Sequence, residues 1–220
     1  MIQEIKETNI TEREIRILKA INIFGRVDSS FLREAFFEES TKAAGKVGVS
    51  RAVKKLEKLN LITSKDWVKG AKVYGLGKSS KTALEKIFNQ KFYGKRSLGF
   101  AEMEHDIIVS KIFLTWRKKG YVKIHTERML KKSGVMGDSI PDLLTFNHEG
   151  EKVFIEVETS PKTTERYLKK LYQFNEVDNL KAVNFYVQSE NIQRMIQTAQ
   201  ERAGKLRFSI SIKSLAEELL

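Results

Sequence analysis

Apolar positions recur at helical spacing three times in the first sixty residues and then give way to short β-rich runs. Ile10, Thr11, Glu12, Arg13, Glu14 and Ile15 predict a helix start: Thr11 caps the Glu14 amide, Glu14 reaches back to the Thr11 amide, and Ile10 and Ile15 form a staple. Ile15, Leu18, Ile21 and Ile23 carry the stripe on to Gly25, so the first helix is expected over 11–24. Asp28, Ser29 and Ser30 offer the next cap, followed by Phe31, Leu32, Ala35 and Phe36 as a short second helix. A third helix begins within 40–48 and turns Val49, Val53, Leu56 and Leu59 inward, with Arg51, Lys54, Lys55 and Lys58 outward. The runs 61–64 and 72–76, joined across 67–70, predict a hairpin. A connecting helix over 82–88 leads to a glycine-marked joint near 97.

Beyond the joint the elements alternate. The pattern predicts a helix over 101–119, strands over 121–126, 140–146 and 152–158, a helix over 162–175, a strand over 182–187, a helix over 190–203, a strand over 206–211 and a short terminal helix. The expected fold class is therefore α+β in two domains, 1–78 and 101–220, linked by 79–100, the second being an α/β unit on a mixed sheet.

Composition narrows the setting. With 41% hydrophobic and 31% charged residues and 2 prolines, the composition is that of an ordered globular protein, and most of the chain is expected to be folded. It has no cysteine, which excludes disulfides and thiolate zinc, and its 3 scattered histidines argue against a His-rich metal site. No apolar run approaches the ~20 residues of a membrane span, and the first residues lack signal-peptide order, so a cytoplasmic protein without a membrane partner is expected.

The net charge of +12 is unevenly spread. Residues 1–96 hold 21 Lys and Arg against 11 Asp and Glu, whereas 97–220 hold 19 against 17. A polyanion partner for the first half follows, with a merely solvated surface as the plain alternative. The order helix, helix, basic helix, hairpin over 10–78 resembles winged helix-turn-helix domains. The resemblance implies DNA contact through Lys46, Ser50, Arg51, Lys54, Lys55 and Lys58 on the third helix and Lys69 and Lys72 on the hairpin. Gly77, Lys78 and Ser79 look like the end of a phosphate-binding P-loop, but Lys72 stands where its first glycine is required, so no nucleotide site is assigned.

Candidate chemistry lies in the second half. In the strand 152–158 the period of two puts Phe154, Glu156 and Glu158 on one face, with the two carboxylates about 7 Å apart. Acids in so apolar a strand are costly to bury without a cation. Pro141-Asp142 and Glu156, within this order of elements, resemble the PD-(D/E)xK nuclease superfamily and its αβββαβ restriction-endonuclease-like core. The resemblance implies that Asp142 and Glu156 hold Mg²⁺ or Mn²⁺ and that a lysine assists phosphodiester hydrolysis. Glu158 stands where the motif's lysine is expected; the lysine is sought on the next helix, at Lys162 or Lys169, and Glu158 is left as ligand or base. Glu104 is a further candidate ligand, while His105 reads as a hydrogen-bonded core residue.

The Asp…Glu-x-Glu pattern behind a winged helix is more specifically similar to plasmid replication-relaxation proteins and restriction-endonuclease-like mobilisation relaxases. That implies a nuclease or nickase acting on plasmid-like DNA, with other plasmid-processing proteins as partners and a homodimer suited to two-fold sites. The alternatives are a DNA-binding regulator or accessory whose nuclease-like domain is inactive and serves dimerisation or docking, an adaptor for an acidic protein, and, for the carboxylates, an acid-decorated hairpin edge that deters aggregation.

A register condition accompanies the metal reading. Asp142 and Glu156 share a face only if they stand opposite each other across the hairpin. A four-residue turn over 147–150 would break that relation; a five-residue connection or a bulge near Gly150 would keep it.

Overall fold

A computed structural model describes residues 10–67, 70–94, 100–134, 136 and 140–219. The chain is α+β and divides into two compact units, Met1–Ser110 and Lys111–Leu220. None of the described helices is long and apolar enough to cross a membrane.

In the first unit α1 (Glu12–Phe24) starts at a capping box between Thr11 and Glu14 and stops at Gly25, whose φ of 85° suits glycine. Its buried stripe is Ile17, Leu18, Ile21 and Phe24; Ile15 and Ile23, expected inward, are half-buried. After the short strand β1 (Arg26–Asp28), Asp28 accepts from the Phe31 amide at 2.7 Å and starts α2 (Ser29–Phe36). Thr41 caps α3 (Lys42–Lys58), which buries Val49, Val53 and Leu56, with Leu59 just past its end. The hairpin β2 (Ile62–Asp66) and β3 (Lys72–Leu76) follows, and β1 adds to it antiparallel, giving the order β1-β3-β2. Three residues are too few to show alternation, which is why β1 escaped the sequence pattern. The expected connecting helix is a short α4 (Ser80–Thr82) running into a π-helical turn, Ala83–Ile87.

The long helix α5 (Phe100–Lys118) comes next. The joint near 97 lies outside the described residues. The first half of α5, assigned from sequence to the second domain, belongs to the first unit: Met103 and Ile107 form a cluster with Val73, and Asp106 and Glu102 ion-pair with Arg26 at 2.8 and 3.2 Å. Arg26 is fully buried, and a guanidinium in that position demands such partners.

The second unit is a five-stranded mixed sheet in the order β4-β5-β6-β7-β8, comprising β4 (His125–Thr126), β5 (Leu143–Phe146), β6 (Lys152–Glu158), β7 (Leu180–Val187) and β8 (Ser209–Ser214). The first three strands pair antiparallel and the last three parallel. α7 (Thr164–Asn175) and α8 (Glu190–Ala203) connect the parallel strands and bury Tyr167, Leu171, Phe174, Ile192 and Ile196 with Phe154 and Phe185 of the sheet. Two expectations fail here. The strand 121–126 shrinks to two residues, and α6 (Glu127–Ser133) stands between β4 and β5, capped by Thr126 and ended by Gly134 at φ 69°. The strands 140–146 and 206–211 settle at Leu143–Phe146 and Ser209–Ser214, and α9 (Leu215–Glu218) closes the chain.

Candidate functional site

The β5–β6 hairpin decides whether the acidic residues can act together. Leu143 pairs with Ile155, Leu144 with Phe154, Thr145 with Val153 and Phe146 with Lys152. The connection is thus five residues, Asn147 to Glu151. It is closed by the Asn147 amide to the Glu151 carbonyl at 3.0 Å, by the Asn147 side chain, and by Gly150 at φ 79°. Asp142, the bend residue just before β5, would stand opposite Glu156 if this register were continued by one residue. The Asp142 carboxylate accepts from the Val157 amide at 2.8 Å, and the Asp142 carbonyl accepts from Glu127 at the start of α6.

Glu156 and Glu158 are both essentially unexposed, on the face that α7 covers. Each meets a lysine. Lys162, just before α7, donates to Glu158 at 2.9 Å, and the Tyr167 hydroxyl reaches the same carboxylate at 3.4 Å. Lys170 ion-pairs with Glu156 and stands 3.9 Å from Glu158. Of the two lysines expected from sequence, Lys162 therefore reaches the acids. Lys169 points to solvent, and its neighbour Lys170 takes the position nearest Glu156. The reason is helical phase. Lys170 lies three residues after Tyr167 and four before Phe174, both buried, whereas Lys169 falls on the opposite side.

Electrostatics follow the geometry. Burial pushes the Glu156 carboxyl up to about 8, against the pull of Lys170 and with help from the charges of Asp142 and Glu158. For Lys170 burial acts downward, but Glu156, Asp142 and Glu158 outweigh it and hold the ammonium above its ordinary value. Glu156 Oε1 is buried without a hydrogen-bond partner.

Among the described residues no group of three or more carboxylates and histidines is assembled as a metal site, and Glu104 belongs to none. His105, expected in the core, is 29% exposed and lies 3.8 Å from Asp106.

On α3, Lys46, Ser50, Arg51, Lys54 and Lys58 are exposed, as is Lys72 on β3. Lys55 departs from the expected outward set, because its ammonium is bound to Glu14 at 2.9 Å. Burial pushes the Glu14 carboxyl up, yet the Thr11 amide and Lys55 outweigh burial and leave it below its ordinary value. Lys69, the other expected contact on the hairpin, lies outside the described residues.

Comparison with protein-family models, curated proteins and solved structures finds no match to this chain.

Proposed function

We propose that the chain is a DNA-binding protein whose first unit is a winged helix and whose second unit is a restriction-endonuclease-like nuclease that cuts or nicks DNA. The observation that carries this reading is the meeting of Asp142, Glu156 and Lys170: two carboxylates opposed across a hairpin and an ammonium delivered by the following helix. The unequal charge of the two halves and the exposed cations of α3 support the DNA partner.

The site fits a hard divalent ion. Asp142 and Glu156 offer oxygen ligands, Glu156 Oε1 is a buried acceptor lacking a donor, and Mg²⁺ commonly takes only one or two protein carboxylates, the rest of its shell being water and phosphate. Bound there, Mg²⁺ or Mn²⁺ would supply an activated water and offset charge on the phosphate. In hydrolysis the water oxygen bonds to phosphorus, one ester P–O bond breaks, and the leaving oxygen takes up a proton. Lys170, held protonated by its carboxylate neighbours, contacts Glu156 at rest and offsets the phosphate's developing charge during reaction. Lys162 pins Glu158 so that its charge stays near that of Glu156. Plasmid or mobile-element DNA is the proposed substrate, in keeping with the resemblance to relaxation and mobilisation proteins.

Incubating supercoiled plasmid with the protein and Mn²⁺ tests the reading. Nicked or linear product that disappears for Asp142→Asn and Lys170→Met is expected; product that persists in both overturns it. A second reading, DNA binding by a chain whose nuclease site is silent, is favoured by Glu158 at the motif's lysine position and by the pairing of Glu156 and Glu158 with lysines. DNA binding without cutting, and without Mn²⁺ uptake in calorimetry, would establish it.

A further inference from the structure

We propose that α3 reads duplex DNA through Val47, Ser50 and Arg51, and that Val47 selects a thymine by contact with its C5 methyl group. This rests on the DNA-binding reading above and adds to it the kind of nucleic acid and one base.

Val47 is 49% exposed and is the large apolar residue that α3 leaves in solvent. Its exposure is built in. Gly45 and Gly48 lie on the side that packs: a Cβ on Gly48 would come within 2.4 Å of the Phe37 ring, and one on Gly45 within 3.1 Å of the Arg33 side chain. Rotating the helix to cover Val47 would drive these positions apart and lift Val49 and Val53 out of the core. At about 100° per residue, Ala43, Ser50, Arg51, Lys54 and Lys58 all fall within about 60° of Val47. The valine therefore stands at the centre of the exposed face. Ahead of it on that face stand Ala43 and Ala44, too short to shield it, while Lys46 lies about a quarter turn to the side and Arg51, Lys54 and Lys58 follow it.

That arrangement suits one class of polyanion. A helix in the B-DNA major groove presents its early residues to base edges and its flanking cations to phosphates. An apolar side chain in that position recognises the thymine methyl, and an arginine beside it recognises the O6 and N7 of guanine. Single strands are bound by aromatic stacking, and α3 contains no aromatic residue. Duplex RNA has a major groove too narrow for a helix, and uracil has no methyl group.

The experiment uses the full chain and two random duplex pools, one amplified with dTTP and one with dUTP. The dTTP pool is expected to converge on a site with an invariant T·A pair. Replacing that thymine by uracil should weaken binding about fourfold, the worth of one buried methyl group. Val47→Ala should erase the thymine–uracil difference and leave the salt dependence of binding unchanged. Equal affinity for the two bases with DNA binding intact would overturn the inference and leave the DNA-binding reading standing, as would a Val47→Ala protein that still distinguishes them. A wild-type protein that binds no duplex at low salt would overturn both.

Discussion

Lys170 reaches across from α7 to ion-pair with Glu156 on β6, a carboxylate whose side chain is only 2% exposed. A buried charge pair of this kind contributes little net stability when intact but is expensive to break from one side. Lys170→Met should therefore lower stability by about 3 kcal/mol well above pH 8, where Glu156 in the folded chain is ionised, and by less at pH 5, where it is protonated. Lys170→Met combined with Glu156→Gln should recover most of the loss. Urea denaturation of the four proteins checks this, and a double variant no better than Lys170→Met would contradict it.

The raised Glu156 carboxyl also sets a pH dependence. Its folded value, about 8, lies above the ordinary 4.5, so the folded chain holds this proton more tightly than the unfolded chain between those pH values. The stability it contributes is present below about 4.5 and is lost as pH rises through 8, at up to about 1.4 kcal/mol per unit for this group alone. Denaturation midpoints at pH 5, 6.5 and 8 should fall in that order, and Glu156→Gln should flatten the trend.

The same proton competes with a metal. If Asp142 and Glu156 are the ligands, Mn²⁺ affinity should rise between pH 6 and 9, because the bound form requires ionised Glu156. Calorimetric titration at three pH values measures this; affinity independent of pH would remove Glu156 from the ligand set.

Lys54 and Lys55 are neighbours with different tasks. Lys54 is exposed on α3, whereas Lys55 is tied to Glu14 at the start of α1. Lys54→Ala should weaken DNA binding and reduce its salt slope by about 1. Lys55→Ala should instead lower thermal stability by an amount on the order of 1 kcal/mol and leave the salt slope intact. Anisotropy titrations in increasing salt, paired with thermal melts, separate the two.

Packing of α3 gives a further test. Gly48→Ala places a methyl group against the Phe37 ring, whose atoms would lie 2.4 and 2.7 Å away, so that ring must move. A loss of about 1–3 kcal/mol is expected from such overpacking. Phe37→Leu in the same chain should relieve part of it.

Much of this was legible in the order of residues. The capping box at Thr11 and Glu14, the inward set Val49, Val53, Leu56 and Leu59, and the shared face of Glu156 and Glu158 depend on neighbours within one helical turn or one strand, and local spacing determines them. The sequence also posed the right question about the β5–β6 connection, since a single residue of loop length reverses a face. It could not answer it. The five-residue closure depends on Asn147 and Gly150 bonding within a turn held by the paired strands. Only the tertiary structure decided which lysine meets Glu156, because that depends on how α7 crosses back over the sheet. It likewise withdrew Lys55 from the exposed face, inserted α6 before β5, and joined the start of α5 to Val73 and Arg26. In each case the deciding partner lies far along the chain, and the cost of burying a charge or an apolar side chain without it selects the arrangement.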